Sequence, residues 1–167
     1  GTGGMHFAID CEGGRHWHAD GRVTSWREPR GNPMRCVETL YAAPDGSTWV
    51  GAGSGTLRRI APGHSTPGHT IAQWEGNLPI RAIFSPAPDQ LLVAVRRETY
   101  QLHLDADGQA LDIQAITPLD GLIVRQIVPA RAGGHWFVGD QGAFRLENGA
   151  IAERWSSDQY PSLHFAR

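Results

Sequence analysis

The sequence predicts an all-β fold, a β-propeller of four-stranded antiparallel blades, and three observations carry that expectation. The chain repeats itself: Val37, Ile80 and Val124 stand 43 and 44 residues apart, and the hydrophobic anchors after each keep their phase. Each repeat has room for four short strands, and four strands in a period of about 40 to 45 residues is the signature of a propeller blade. The 21 Gly and 11 Pro cut the chain too often for long helices.

The elements follow in chain order. The first repeat opens on what reads as a second strand, His6 to Ile9, and continues through Arg15 to His18 and Arg22 to Trp26; its first strand is missing. In the second repeat the strands are Val37 to Ala42, Thr48 to Gly51, Thr56 to Ile60 and Ile71 to Trp74, parted by turns rich in Gly, Pro and Asp. The third repeat sets Ile80, Ile83 and Leu92-Val93-Ala94 on the same frame, and the fourth sets Val124, Ile127 and Trp136-Phe137-Val138 there. Pro161 to Ala166 reads as a first strand with no blade behind it, so the two termini are expected to share one blade. Running Arg167 on into Gly1 places Gly4 at the position of Gly46, Phe7 at that of Trp49 and Gly13 at that of Gly55. The blades are then about 5–26 plus 161–167, 34–74, 80–116 and 123–155, forming one domain. Sharing a blade between the ends would remove open strand edges, within one molecule, between two, or in a longer parent.

The bulk numbers exclude some function classes. All 15 basic residues are Arg, against 17 Asp and Glu, so the charge of −2 gives no drive toward phosphate backbones and no nucleic-acid partner is expected. No apolar run reaches the length of a membrane span, and Gly1 to Met5 lacks the pattern of a signal peptide, so a soluble piece without direct membrane insertion is expected. Cys11 and Cys36 are either a disulfide, as in an oxidising compartment, or two buried thiols.

At Asp45-Gly46-Ser47-Thr48-Trp49-Val50-Gly51-Ala52-Gly53-Ser54-Gly55-Thr56-Leu57-Arg58-Arg59-Ile60 the chain resembles the two-component-regulator propeller repeat. Gly133 to Leu146 resembles it too, and Asp89 to Leu104 more loosely, with a degenerate strand at Leu91 to Arg97. The resemblance implies a periplasmic or extracytoplasmic sensor region, of the kind attached to bacterial hybrid histidine kinases and diguanylate cyclases.

Little in the sequence announces chemistry. His16-Trp17-His18 puts two imidazoles on one strand face, but no third ligand is near in sequence and no metal is expected. His64 and His69 lie in a Gly/Pro/Ser-rich connection and read as solvated. There is no nucleophile elbow, paired zinc motif or phosphate loop, so neither a cofactor nor catalysis is expected. Trp49 and Trp136 read as packing between blades, whereas Trp26, Trp74 and Trp155 fall on outer strands where partial exposure is expected. Propellers bind through the loops joining second to third strands and one blade to the next. Those loops carry Asp10, Glu12, Arg27, Arg30, Arg96, Arg97, Asp120, Asp140 and Asp158, a mixed ring of charge suited to a small molecule, a glycan or a protein. Three alternatives stay open: solvated loop tips; a lyase or glycan hydrolase with Glu12, Asp140 and Asp158 at the channel mouth; and a structural module that pairs, even as a homodimer, through edge strands or blades.

Overall fold

Alternating apolar residues bounded by left-handed glycines fold here into hairpins, and the hairpins into four consecutive antiparallel sheets. The computed structural model describes residues 4–8, 11, 13–26, 36–76, 78–156 and 159. Blade 1 has three strands, β1 (Gly4–Ala8), β2 (Gly14–His18) and β3 (Val23–Trp26), paired in that order. Blade 2 holds β4 (Val37–Ala42), β5 (Thr48–Ala52), β6 (Thr56–Ile60) and β7 (Thr70–Gln73). Blade 3 holds β8 (Ile80–Ala87), β9 (Gln90–Val95), β10 (Glu98–Leu104) and β11 (Ala110–Ala115), and blade 4 holds β12 (Val124–Pro129), β13 (His135–Gly139), β14 (Gly142–Glu147) and β15 (Ala150–Ser156). All are up-and-down meanders, and a 3-10 turn at Thr117–Leu119 lies between blades 3 and 4. The segment 161–167, expected to complete blade 1, lies outside the described residues.

The core lies between blades, not within them. From blade 2, Trp49, Leu57 and Ala72 face Leu91, Val93, Leu102 and Leu104 of blade 3. The opposite face of blade 3, with Ala82, Leu92 and Ala94, meets Val124, Ile127, Phe137 and Phe144 of blade 4. Trp26 of blade 1 packs on Val37, Val50, Ala52 and Ile60 of blade 2. Every blade thus has a forward face and a rear face, and side chains alternate between them along each strand. Packing runs β1 to β4, β4 to β8 and β8 to β12; among the described residues β1 and β12 form no comparable interface, and the four blades make an arc.

Two expectations need correction. Phe7 does not occupy the position of Trp49. Ala8 pairs Gly14 as Gly51 pairs Leu57, so it is His6 that matches Trp49 and Phe7 that matches Val50. The face that turns toward blade 2 is fixed by Trp26, which lies over Gly14 so closely that a Cβ there would fall 2.3 Å from its ring. A one-residue slip exchanges the two faces of a strand. Trp26 is also buried rather than partly exposed, because it seals the joint with blade 2; Trp74 is half-buried, and Trp155 is exposed as expected.

Cys11 and Cys36 form a disulfide. It ties the β1–β2 connection of blade 1 to the entry of β4, and the Cys36 carbonyl accepts a 2.7 Å hydrogen bond from the Gly53 N–H of blade 2.

Candidate functional site

The innermost four-residue pattern of each repeat, Val37-x-x-Leu40, Ile80-x-x-Ile83 and Val124-x-x-Ile127, is out of step with a flat strand. Residues three apart point to opposite faces of a regular strand, yet Ile80 and Ile83 lie in one cluster, and Val124 and Ile127 in another. A bulge resolves the conflict. The pairing skips a residue between Val37 and Thr39, between Ile80 and Ala82, and between Val124 and Gln126. The residues left over are Glu38, Arg81 and Arg125, and a bulge re-aims the side chain it carries, often beside a binding site.

These three charged groups sit at the end of the blades that carries the second-to-third strand loops. Arg81 Nη1 donates to Glu38 Oε2 at 3.0 Å, joining blades 2 and 3. Arg125 donates from Nε to Asp140 Oδ1 at 2.8 Å and from Nη2 to Asp140 Oδ2 at 3.1 Å, a two-pronged pair that raises the guanidinium pKa further. All four side chains remain partly open to solvent.

The loop residues expected at the site are placed as follows. Arg96 and Arg97 form the exposed tip of the β9–β10 hairpin, with Arg96 held at a φ of 53°. The Arg96 N–H donates to Pro79 O, and the Arg97 carbonyl accepts from Gly121 N–H, so this hairpin is stitched to the linkers on both sides. That brings Asp120 close, and the Tyr100 hydroxyl is pushed up to about 12 by burial, by its 2.5 Å hydrogen bond to Glu98 and by the charges of Glu98 and Asp120. Asp140 belongs to the same rim, with its N–H on Ile123 O. Asp10, Glu12, Arg27, Arg30 and Asp158 lie outside the described residues. Arg81, Arg125 and Glu38 were missed by loop-based reading because they sit on strands, although the spacing of three between hydrophobic anchors marks the bulge.

The opposite end has its own chemistry. A cavity of about 330 Å³ between blades 2 and 3 is lined by Ala43, Trp49, Arg59, Pro86, Leu104 and Gly108 among others. Arg59 Nη2 donates to Asp45 Oδ2 at 2.7 Å, Nη1 donates to Asp107 O at 3.1 Å, and the guanidinium lies 5.6 Å from the Trp49 ring centroid. Burial pushes the Asp45 carboxyl up, but hydrogen bonds from Ser47 and Arg59 outweigh it and hold the pKa below the usual range.

A third imidazole joins the His16–His18 pair: His6 stands directly opposite His16, with ring centroids 4.2 Å apart, and His18 follows at 4.1 Å. His18 Nε2 shares a 2.9 Å hydrogen bond with Thr24 Oγ1. Burial, then the neighbouring imidazoles, lower the pKa of His6; burial, then His18 and Arg22, lower that of His16. Among the described residues no group of three or more His, Cys, Asp or Glu is arranged to hold a metal ion.

No family profile and no curated protein sequence matches the chain. Solved structures do match in fold. A streptogramin B lyase aligns with a TM-score of 0.70 at 15% identity, over 92% of this chain and 51% of that one. The extracellular domain of a protein from B. thetaiotaomicron, provisionally assigned as a one-component system, aligns at 0.71 and 15% over 92% of this chain and 21% of that one. A gluconolactonase from Xanthomonas campestris aligns at 0.70 and 15% over 92% and 58%. The chain therefore spans between about a fifth and three fifths of these neighbours, and what it shares with them is the β-propeller fold.

Proposed function

We propose that this chain is a non-catalytic binding module of a bacterial sensor, receiving a polar, carboxylate-bearing small molecule or acidic glycan at the bulged end of its blades. The observation that carries this reading is the recurrence of a charged residue on the same bulge in three successive blades: Glu38, Arg81 and Arg125. Guanidinium groups suit carboxylates, and the flanking carboxylates of Glu38 and Asp140 can accept from hydroxyls. Arg96 and Arg97 add positive charge at the rim. Asp140 is engaged by both prongs of Arg125, which suits a positioning role better than proton transfer. The extracellular sensor neighbour supports an extracytoplasmic setting, as does the Cys11–Cys36 disulfide, since such bonds persist in oxidising compartments.

The test is a thermal-shift panel of small dicarboxylates, hexuronates and acidic oligosaccharides on the purified chain. A ligand present at a hundred times its Kd stabilises by about 2.7 kcal/mol, roughly 5 to 10 °C in a chain of this size. At least one class is expected to shift the melt, and the Arg81→Gln, Arg125→Gln pair is expected to abolish the shift. A panel without response, or a response that survives both substitutions, defeats the reading.

A further inference from the structure

Blade 1 and blade 4 each turn one face to solvent that the repeat was built to bury. On the rear face of blade 1, Met5, Phe7 and Trp17 stand where Leu91, Val93 and Leu102 stand in blade 3, as the paired registers Met5↔Trp17 and Leu91↔Leu102 require. The three blade 3 residues are completely buried under blade 2, whereas Met5 is 60% and Trp17 51% exposed, with Val23 opened beside them. On the forward face of blade 4, Trp136, Ala143 and Trp155 stand where Trp49, Leu57 and Ala72 stand in blade 2. There the blade 2 residues are buried beneath blade 3, but Trp155 is 49% exposed, its ring tilted against a half-buried Trp136 with centroids 5.4 Å apart.

We propose that two copies of this chain join head to tail, the forward face of blade 4 in each packing on the rear face of blade 1 in the other, and so close one ring. The interface is of a kind already present inside the chain. Blade 2 offers a forward face with Trp49 at its centre, blade 3 covers it with a rear face of aliphatic residues, and the two end faces are the unmatched halves of that joint. Within the chain the rear faces of blades 2, 3 and 4 are already covered by blades 1, 2 and 3, and the rear face of blade 1 is exposed, so the forward face of blade 4 and the rear face of blade 1 are the two left unpaired. The charges on the two faces are compatible: exposed Arg15 lies on the rear face of blade 1, beside Phe7, and on the forward face of blade 4 Arg145 is already shared between the carboxylates of Glu147 and Glu153, which leaves one negative charge in excess. Length agrees as well, since the lyase and lactonase neighbours, of which this chain matches 51% and 58%, hold nearly two such arcs in one chain. A head-to-tail contact makes a closed ring when its rotation closes, and two copies related by a two-fold axis use the same joint twice. Large aromatics such as Trp17 and Trp155 are the side chains that commonly anchor an interface.

The experiment is light scattering and sedimentation equilibrium on the purified chain and on two variants, Trp17→Glu and Trp155→Glu. The unaltered chain is expected at the mass of two copies, dissociating on dilution. Each variant alone is expected as a monomer, with a near-unchanged far-ultraviolet spectrum showing that its blades persist; Met5→Glu serves if Trp17→Glu does not fold. Mixing the two variants restores one intact joint, so the mixture is expected to regain pairing that neither has alone. A monomer at all concentrations overturns the proposal and assigns these faces to further blades of a longer chain. Pairing that survives either variant alone also overturns it, because it marks a contact between like faces.

Discussion

A proton arriving at the three-imidazole row of blade 1 meets a half-buried ring with two neighbours of the same potential charge. The pKa of His6 and that of His16 are both depressed in the folded chain, so the unfolded chain binds more protons over the interval beneath the ordinary histidine value of 6.5. Stability is therefore complete above that value and falls as the pH drops through the folded values. Melts recorded from pH 7.5 downward should show a loss beginning near pH 6.5, and His6→Gln should remove part of that slope while the carboxylate transition at lower pH persists. The Arg125–Asp140 pair behaves differently: the two side chains are 44% and 32% exposed, so Asp140→Asn should cost no more than about 1 kcal/mol in a denaturant titration. At this scale the sequence was only partly legible. Arg96, Arg97, Asp120 and Asp140 could be assigned to loops from turn chemistry alone, but Glu38, Arg81 and Arg125 could not be singled out without recognising a bulge. Likewise His6 was invisible as a neighbour of His16, because ten residues of chain separate two groups that cross-strand pairing makes adjacent.

The first strands of blades 2, 3 and 4 each carry a bulge, and each second strand pairs directly against it. The close approach is tightest at Gly139 in β13, where an added Cβ would fall 1.8 Å from the Ile123 carbonyl oxygen. Gly139→Ala must push β12 aside, at an expected cost of about 1 to 3 kcal/mol by chemical denaturation. Trp49 in β5 fills the joint between blades 2 and 3, and Trp49→Ala should cost about 3 to 5 kcal/mol, read in the same titration. Strand existence was highly legible: the expected second-repeat strands at 37–42 and 56–60 coincide with β4 and β6, since Gly and Pro punctuate them at both ends. Phase in blade 1 was not. The hydrophobic pattern prefers to bury Phe7 over His6, yet the face is decided by Trp26 closing on blade 2, a contact that no window around Phe7 contains.

Across the whole molecule, stability is a chain of nearest-neighbour joints, with blade 1 the most lightly attached of the four: its described portion has three strands and one joint. The disulfide compensates. Reducing Cys11–Cys36 should lower stability by about 2 to 4 kcal/mol and should do so through blade 1, so hydrogen exchange in β1 to β3 should quicken before that in β8 to β10. The same bond has a mechanical consequence. Its partners are 25 residues apart in sequence, and a taut chain spans at most about 3.5 Å per residue, so the bond withholds roughly 85 Å of contour when the ends are pulled. Tension entering from the N-terminal side passes from Cys11 directly to Cys36 and reaches blade 2 without first drawing out β2 and β3. Under load β2 and β3 are bypassed like a slack side loop on a cable, and a reductant would convert them into a length of stored rope.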